Sequence, residues 1–217
     1  MLDNRTETDK RQAIIDCCLK MNASGLNQGT SGNISLRHGD GLLITPTSRP
    51  YDSLTPEDIV FLDMDGTAHG RWNPSSEWRF HRDILQARPD ENAVLHAHPT
   101  FCTTLSIMGK PIPPLHYMVA VFGGPDIRCA PYAIYGSAAL SRLALEALEG
   151  RKACLLAHHG MIAVGRDLDQ AFWLADELET LARQYHGCLQ LGAPPLLSAQ
   201  QIQDVIDKIA GYGLSDD

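Results

Sequence analysis

Positive charge is scarce in this sequence. Eighteen lysines and arginines stand against 26 aspartates and glutamates in 217 residues, a formal net charge of −8. So acidic a chain lacks the electrostatic footprint for nucleic acid or an anionic membrane surface, and neither is expected as a partner. A small anionic substrate stays open to it, because a local site can oppose the net charge. No apolar run reaches membrane-spanning length. There is no internal repeat and no low-complexity segment, and one domain over residues 1–217 is expected. The six cysteines (17, 18, 102, 129, 154 and 188) include no Cys-x-x-Cys pair, which argues for reduced thiols. The polar start, Met1-Leu2-Asp3-Asn4-Arg5, has no signal-peptide pattern, so a cytoplasmic protein is expected.

What the chain does have is histidine at the ends of apolar runs. Ala93-Val94-Leu95 reads as a buried strand that continues into His96-Ala97-His98-Pro99. On a strand, residues i and i+2 share a face, so His96 and His98 should stand side by side at its end. That is how a zinc ion takes two of its ligands. A second apolar strand, 153–157, ends in His158-His159-Gly160. Neighbours in a strand face opposite ways, so one of that pair can join the first two. Three histidines leave a tetrahedral ion one open position, the catalytic pattern, and no cysteine has the spacing of a structural site.

Around these strands the pattern alternates between helix and strand. An apolar stripe predicts a first helix over about 8–25, closed by Gly25. A polar, glycine-rich loop follows, Leu26-Asn27-Gln28-Gly29-Thr30-Ser31-Gly32-Asn33, whose backbone N–H groups could approach an anion. It is not a Walker loop, since no Gly-Lys-Ser/Thr follows. Short strands near 42–44 and 59–62 make the first third mostly antiparallel, with a hairpin turn at 38–41 and a hydroxyl-rich corner at Thr45-Pro46-Thr47-Ser48. A helix is expected from about 74 to 87 with Ser75 or Ser76 as its N-cap, and such a terminus suits an anion. Glu77 in its first turn reads alone as a capping or dipole-stabilising carboxylate, and His81 as a structural or surface histidine. Residues 127–133 read as an edge strand because Pro131 interrupts it. The longest helix is expected from 167 or 168 to about 191. Ser198-Ala199-Gln200-Gln201 looks like a capping box for a last helix ending near Tyr212-Gly213. Zinc, a phosphate pocket and a carboxylate together suggest chemistry on a phosphorylated carbonyl compound.

Six motifs then carry a resemblance. They are Gly-Leu-Asn-Gln-Gly-Thr-Ser-Gly-Asn-Ile-Ser (25–35), Ile-Thr-Pro-Thr (44–47), Ser-Ser-Glu-Trp-Arg-Phe-His (75–81), His-Ala-His (96–98), His-Tyr-Met (116–118) and His-His-Gly (158–160). Together they resemble the class II aldolase/adducin family, of the L-fuculose-1-phosphate aldolase type, over nearly the whole chain. The resemblance implies an α/β (α+β) fold: a central, mostly antiparallel β-sheet flanked by helices in three α/β/α layers. It implies a zinc ion, with manganese or cobalt as alternatives, on His96, His98, His159 and Glu77. It implies that Gly32, Asn33, Thr47, Ser48, Ser75 and Ser76 hold the substrate phosphate, Ser48 standing where the family often has glycine. Tyr117 corresponds to a catalytic tyrosine that reaches a neighbouring subunit's site in a homotetramer. Tyr135 and Tyr212 match aromatic positions on the aldehyde side.

The implied reaction is metal-assisted aldol cleavage of a ketose 1-phosphate to dihydroxyacetone phosphate and an aldehyde. Zinc would stabilise the enediolate, Glu77 would shuttle the proton, and Tyr117 would manage the proton on the aldehyde oxygen. The same cleavage of 5-deoxyribulose or 5-methylthioribulose 1-phosphate is the alternative. The fold also hosts sugar-phosphate epimerases and decarboxylases, although the epimerase type carries aspartate in place of Glu77. A non-enzymatic, adducin-like module would be expected to have lost the metal ligands.

Overall fold

The computed structural model describes residues 5–210. The first helix, α1 (Glu7–Ser24), opens on a reciprocal cap: Thr6 Oγ1 accepts from the Asp9 N–H while the Asp9 carboxylate accepts from the Thr6 N–H. Strands β1 (Asn33–His38) and β2 (Gly41–Ile44) form a hairpin on Gly39-Asp40, as the turn residues predict. β3 (Val60–Asp63) and the two-residue β4 (Ala68–His69) extend it. Then come α2 (Trp78–Ala87), β5 (Ala93–Ala97) and α3 (Thr100–Ile107). A 3-10 helix (Tyr117–Phe122) and β6 (Cys129–Ala130) precede α4 (Ala138–Leu148). β7 (Ala153–Leu156), β8 (Gly160–Gly165), α5 (Leu168–Leu191) and α6 (Ala199–Ala210) complete the described chain.

The strands make one eight-stranded sheet in the order β4-β3-β2-β1-β5-β8-β7-β6. Every pairing is antiparallel except β6 with β7, so the sheet is mixed at one edge. Period-2 alternation sorts the side chains onto two faces. Ile34, Leu36, Leu95, Ala163 and Leu155 face the layer of α1, α3 and α5. Leu42, Ile44, Val94, Ile162 and Cys154 face the layer of α2 and α4. The result is the three-layer α/β/α arrangement.

Three expectations need correcting. The strand expected over 127–133 joins the sheet only at Cys129–Ala130, where Pro131, having no N–H, stops the ladder; Ile127 pairs instead with Ile112 in an isolated bridge. Helix α2 begins at Trp78, so neither Ser75 nor Ser76 is its N-cap; Glu77 occupies that position and makes no side-chain capping bond. The reason is a tether to the sheet. The Ser75 N–H bonds Thr45 O at 2.9 Å and Pro74 bridges to Pro46, which keeps this stretch extended. Ser75 Oγ instead accepts from the Glu77 N–H, at 3.3 Å. Finally, the histidines at 158 and 159 lie in the β7–β8 turn and not on a strand. The capping box at Ser198 forms as expected, the Ser198 N–H bonding Gln201 Oε1 and the Gln201 N–H bonding Ser198 Oγ. The expected end of that helix near 212 lies outside the described residues.

Candidate metal centre

The two central strands and two connections meet at one end of the sheet. Asn33 on β1 is the register partner of His96 on β5. Alternation puts His96 with Val94 on the α2 side, where it is fully buried under Phe80, ring centroids 5.4 Å apart. His98 lies one residue past the strand end and keeps to that side. From the third segment, His158 has φ 56°, a left-handed conformation costly for a residue with a β-carbon. That turn sends His159 to the cluster and His158 to the surface. So one histidine of the pair does join, selected by a turn and not by strand alternation.

The ligand-capable atoms of Glu77, His96, His98 and His159 all lie within 4.8 Å of one another. His96 Nε2 is 2.9 Å from His98 Nε2 and 3.0 Å from Glu77 Oε2. His159 Nε2 is 3.3 Å from Glu77 Oε1. His96 Nδ1 donates to Met161 O at 2.8 Å, which leaves the Nε2 lone pair of the neutral ring aimed into the cluster. Glu77 Oε1 is buried with no hydrogen-bond donor. Converging lone pairs and an orphaned carboxylate oxygen are what a divalent cation would satisfy, and three imidazoles with one carboxylate suit zinc, manganese or cobalt. The reading of Glu77 as a helix cap gives way to this one.

Electrostatics point the same way. Burial works against the charged form of Glu77, yet His96, His159 and the Asn33 amide outweigh it and hold its carboxyl far below the usual range. Burial, together with the repulsion that crowded protonated imidazoles would feel, lowers His98 to about 3 and His159 to about 4. Both rings are therefore neutral, and free to ligate, at neutral pH. Unfolded histidines titrate near 6.5. Below that value the unfolded chain takes up protons that the folded chain refuses. Stability contributed by these rings is thus present above pH 6.5 and is lost as pH falls towards 4 and then 3. The metal-free protein is expected to show a Tm that declines across that window; a Tm unchanged between pH 6.5 and 4 would contradict it.

The glycine of the His-His-Gly motif has a steric reason. A β-carbon at Gly160 would stand 2.5 Å from both Ala97 O and His98 Cδ2. Gly160→Ala is therefore expected to push the His98 ring out of line and weaken metal affinity by roughly 10–100-fold. Competition against a chelator measures this, and unchanged affinity would contradict it. Gly32 is packed as closely: a β-carbon there would meet His96 O at 2.8 Å.

In front of the cluster lies a cavity of about 430 Å³. Its lining includes Gly32, Asn33, Thr47, Ser48, Ser75 and Ser76, the residues the resemblance names for a phosphate. Ser48 sits at φ 55°, in the left-handed region favoured by glycine. Among the described residues no lysine or arginine lines the cavity, so an anion there would be held by backbone N–H groups, hydroxyls and the start of α2. Glu77, His98 and His159 form the floor, with His96 behind them. Tyr135 also lines the cavity, together with Tyr132, Ala133 and His158, which sequence reasoning missed. Thr30 and Ser31 were also missed as lining residues, although the loop that carries them was singled out. Tyr117 does not line the cavity; it opens the 3-10 helix and is 53% exposed. Tyr212 lies outside the described residues. All six cysteines are unpaired. Among the described residues no helix is long and apolar enough to cross a membrane.

Fold and cluster together define a metal-dependent lyase of the class II aldolase type. The model of the Class II Aldolase and Adducin N-terminal domain matches residues 12–186, and the chain belongs to that family. It is 55% identical over 203 residues to a 5-methylthioribulose-1-phosphate/5-deoxyribulose-1-phosphate aldolase of Rhodospirillum rubrum, covering 94% of this chain and 92% of the relative. It is 51% identical over 202 residues to the L-fuculose phosphate aldolase of Escherichia coli strain K12, covering 93% and 94%. A solved L-fuculose 1-phosphate aldolase superposes with a TM-score of 0.91 at 35% identity, covering 96% of this chain and 99% of the other.

Proposed function

We propose that the protein, acting as one class II aldolase domain, cleaves a ketose 1-phosphate between C3 and C4 into dihydroxyacetone phosphate and an aldehyde. The observation that carries this reading is the juxtaposition of four ligand groups within 4.8 Å of one another with a hydroxyl-lined, lysine-free cavity wall. His96, His98, His159 and Glu77 would hold the ion, which we take to be zinc. When bound, it supplies Lewis-acid polarisation of the substrate's carbonyl oxygen. Gly32, Asn33, Thr47, Ser48, Ser75 and Ser76 bind the phosphate and so fix the substrate's C1 end. The C4 hydroxyl loses its proton and becomes the aldehyde as the C3–C4 bond breaks. Glu77, ionised at rest, takes up a proton from water and delivers it to C3 of the three-carbon product, while the proton leaving the C4 hydroxyl passes through Tyr117 to solvent. The Glu77 carboxylate is poised for this because it is buried and lacks a donor on Oε1.

Tyr117 takes the proton at the aldehyde oxygen in this reading. Its exposure, and its absence from the cavity wall of its own chain, support a place in the site of a neighbouring copy within a homotetramer. Tyr135 lines the aldehyde side, and Tyr212 is proposed to do so too. Six unpaired thiols support a cytoplasmic location.

For the aldehyde there are two readings. An L-fuculose 1-phosphate-like substrate follows the name of the Escherichia coli relative. A less polar aldehyde, from 5-deoxyribulose or 5-methylthioribulose 1-phosphate, is favoured by the wall of Tyr132, Ala133 and Tyr135, whose aromatic and methyl surface would pack on a methyl or thioether end. A coupled assay of dihydroxyacetone phosphate release on fuculose, rhamnulose, ribulose, 5-deoxyribulose and 5-methylthioribulose 1-phosphates decides. Chelator-sensitive release is expected, and the ranking of kcat/KM names the aldehyde. No release from any of the five by the metal-loaded protein would overturn the aldolase reading in favour of an epimerase or decarboxylase.

A further inference from the structure

Behind the cavity wall runs a line of buried polar side chains that the proposed reaction does not use directly. Asn33 and Ser35 stand two apart on β1 and share the face turned to α2. His81, fully buried on α2, bridges them: its Nδ1 is 2.7 Å from Ser35 Oγ and its Nε2 is 2.5 Å from Asn33 Oδ1. Phe80 stacks on the His81 ring at 4.7 Å. From the same amide, Asn33 Nδ2 donates to Glu77 Oε2 at 3.1 Å. Asn33 also lines the cavity.

The polarity of this line is set from its Glu77 end. A carboxylate only accepts, so Asn33 must turn its NH₂ group to Glu77 and leave its carbonyl oxygen for His81. That oxygen also only accepts, so His81 carries its proton on Nε2. The bare Nδ1 then accepts from the Ser35 hydroxyl. Reversing any one member would set acceptor against acceptor or donor against donor in a place sealed from water.

We infer that Ser35 and His81 are positioning residues that lock the orientation of the Asn33 amide, so that it presents N–H groups, and not its oxygen, to Glu77 and to the anion in the cavity. A flipped amide would turn an acceptor on both the proton-carrying carboxylate and the bound phosphate. One side chain thereby ties the phosphate wall to Glu77, and the pair that holds it touches neither. The inference deepens the proposed function and rests on it for the turnover measurements alone.

Long-range ¹⁵N–¹H correlation spectra of the zinc-loaded full chain test the polarity. His81 is expected as the Nε2–H tautomer with a slowly exchanging proton; an Nδ1–H tautomer overturns the inference. Variants test the consequence. His81→Phe fills the space but removes the donor, whereas His81→Gln can place an amide N–H near the same point. His81→Phe is expected to weaken inorganic phosphate binding, read by calorimetric titration, and to lower kcat, each by roughly 10–100-fold, the range found for groups that orient a metal site. His81→Gln is expected to recover most of both. A merely structural role would lower Tm in both variants while leaving phosphate affinity and kcat unchanged, and that result overturns the inference.

Should His81→Phe fail to fold, Ser35→Ala removes only the hydroxyl on Nδ1. It is expected to weaken phosphate binding a few-fold and to mix the two tautomers; phosphate affinity, kcat and tautomer all unchanged overturn the inference. The tautomer and phosphate measurements need no turnover. A protein that cleaves none of the ketose 1-phosphates would therefore refute the functional reading and still leave these two measurements to judge the lock.

Discussion

His96→Ala should abolish metal retention and turnover together. Of the four candidate ligands, His96 is the most enclosed: it is fully buried, sits within 3.0 Å of both Glu77 and His98, and is fixed by its Nδ1–H bond to Met161 O. Removing the ring takes away one ligand and leaves the Met161 carbonyl without that donor. A bound Lewis acid is worth several kcal/mol of transition-state charge stabilisation. At about 1.4 kcal/mol per factor of ten, the loss in kcat/KM is on the order of 10³ or more. Metal analysis after gel filtration, set beside the dihydroxyacetone phosphate assay, checks the pairing. Full activity in metal-free His96→Ala protein would remove the metal from the mechanism.

Glu77→Gln separates two roles that one carboxylate is asked to play. The three histidines remain to hold the ion, and the new side-chain amide can still offer its oxygen to the Asn33 Nδ2–H group, so metal content should persist. What is lost is the ability to carry a proton. Turnover is expected to fall about 10²–10⁴-fold, the usual size of a general acid–base contribution. Inorganic phosphate affinity should stay close to that of the unsubstituted protein, because Glu77 is not part of the phosphate wall. An unchanged kcat would hand the proton transfer to another group, and loss of metal would make Glu77 a ligand first.

Much of this site is legible in the sequence because its ligands lie next to strong local signals. His96 and His98 follow a short apolar run, and the period of two places both on one side. The hydroxyl-rich lining of the cavity is legible for a similar reason: glycine and hydroxyl residues cluster where strands turn. The site's third dimension is not legible. The choice of His159 over His158 depends on a left-handed turn whose cause is the tight β7–β8 connection, and no periodicity reports that. Ser75 and Ser76 look like helix caps by local chemistry, but a tertiary bond from Ser75 to Thr45 O holds that stretch extended and delays the helix to Trp78. Tyr132 and His158 reach the cavity through loops whose path is set by packing. The alternation of Asn33 and Ser35, polar in a strand otherwise apolar at its centre, was a signal available in the sequence for the His81 contact.

Both edges of the sheet end in two-residue strands, β4 on one side and β6 on the other, and Pro131 follows β6 directly. Long unpaired edges are templates for strand addition, the route by which β-rich chains join into open-ended aggregates. Here the template is too short on either side to recruit another chain. Any contact between copies of this protein is therefore left to side chains on helices and loops, where it can be made specific and can close on itself. The cavity is itself lined from such loops, so the sheet's short margins leave its surroundings, and not the strand edges, as the surface open to specific contacts.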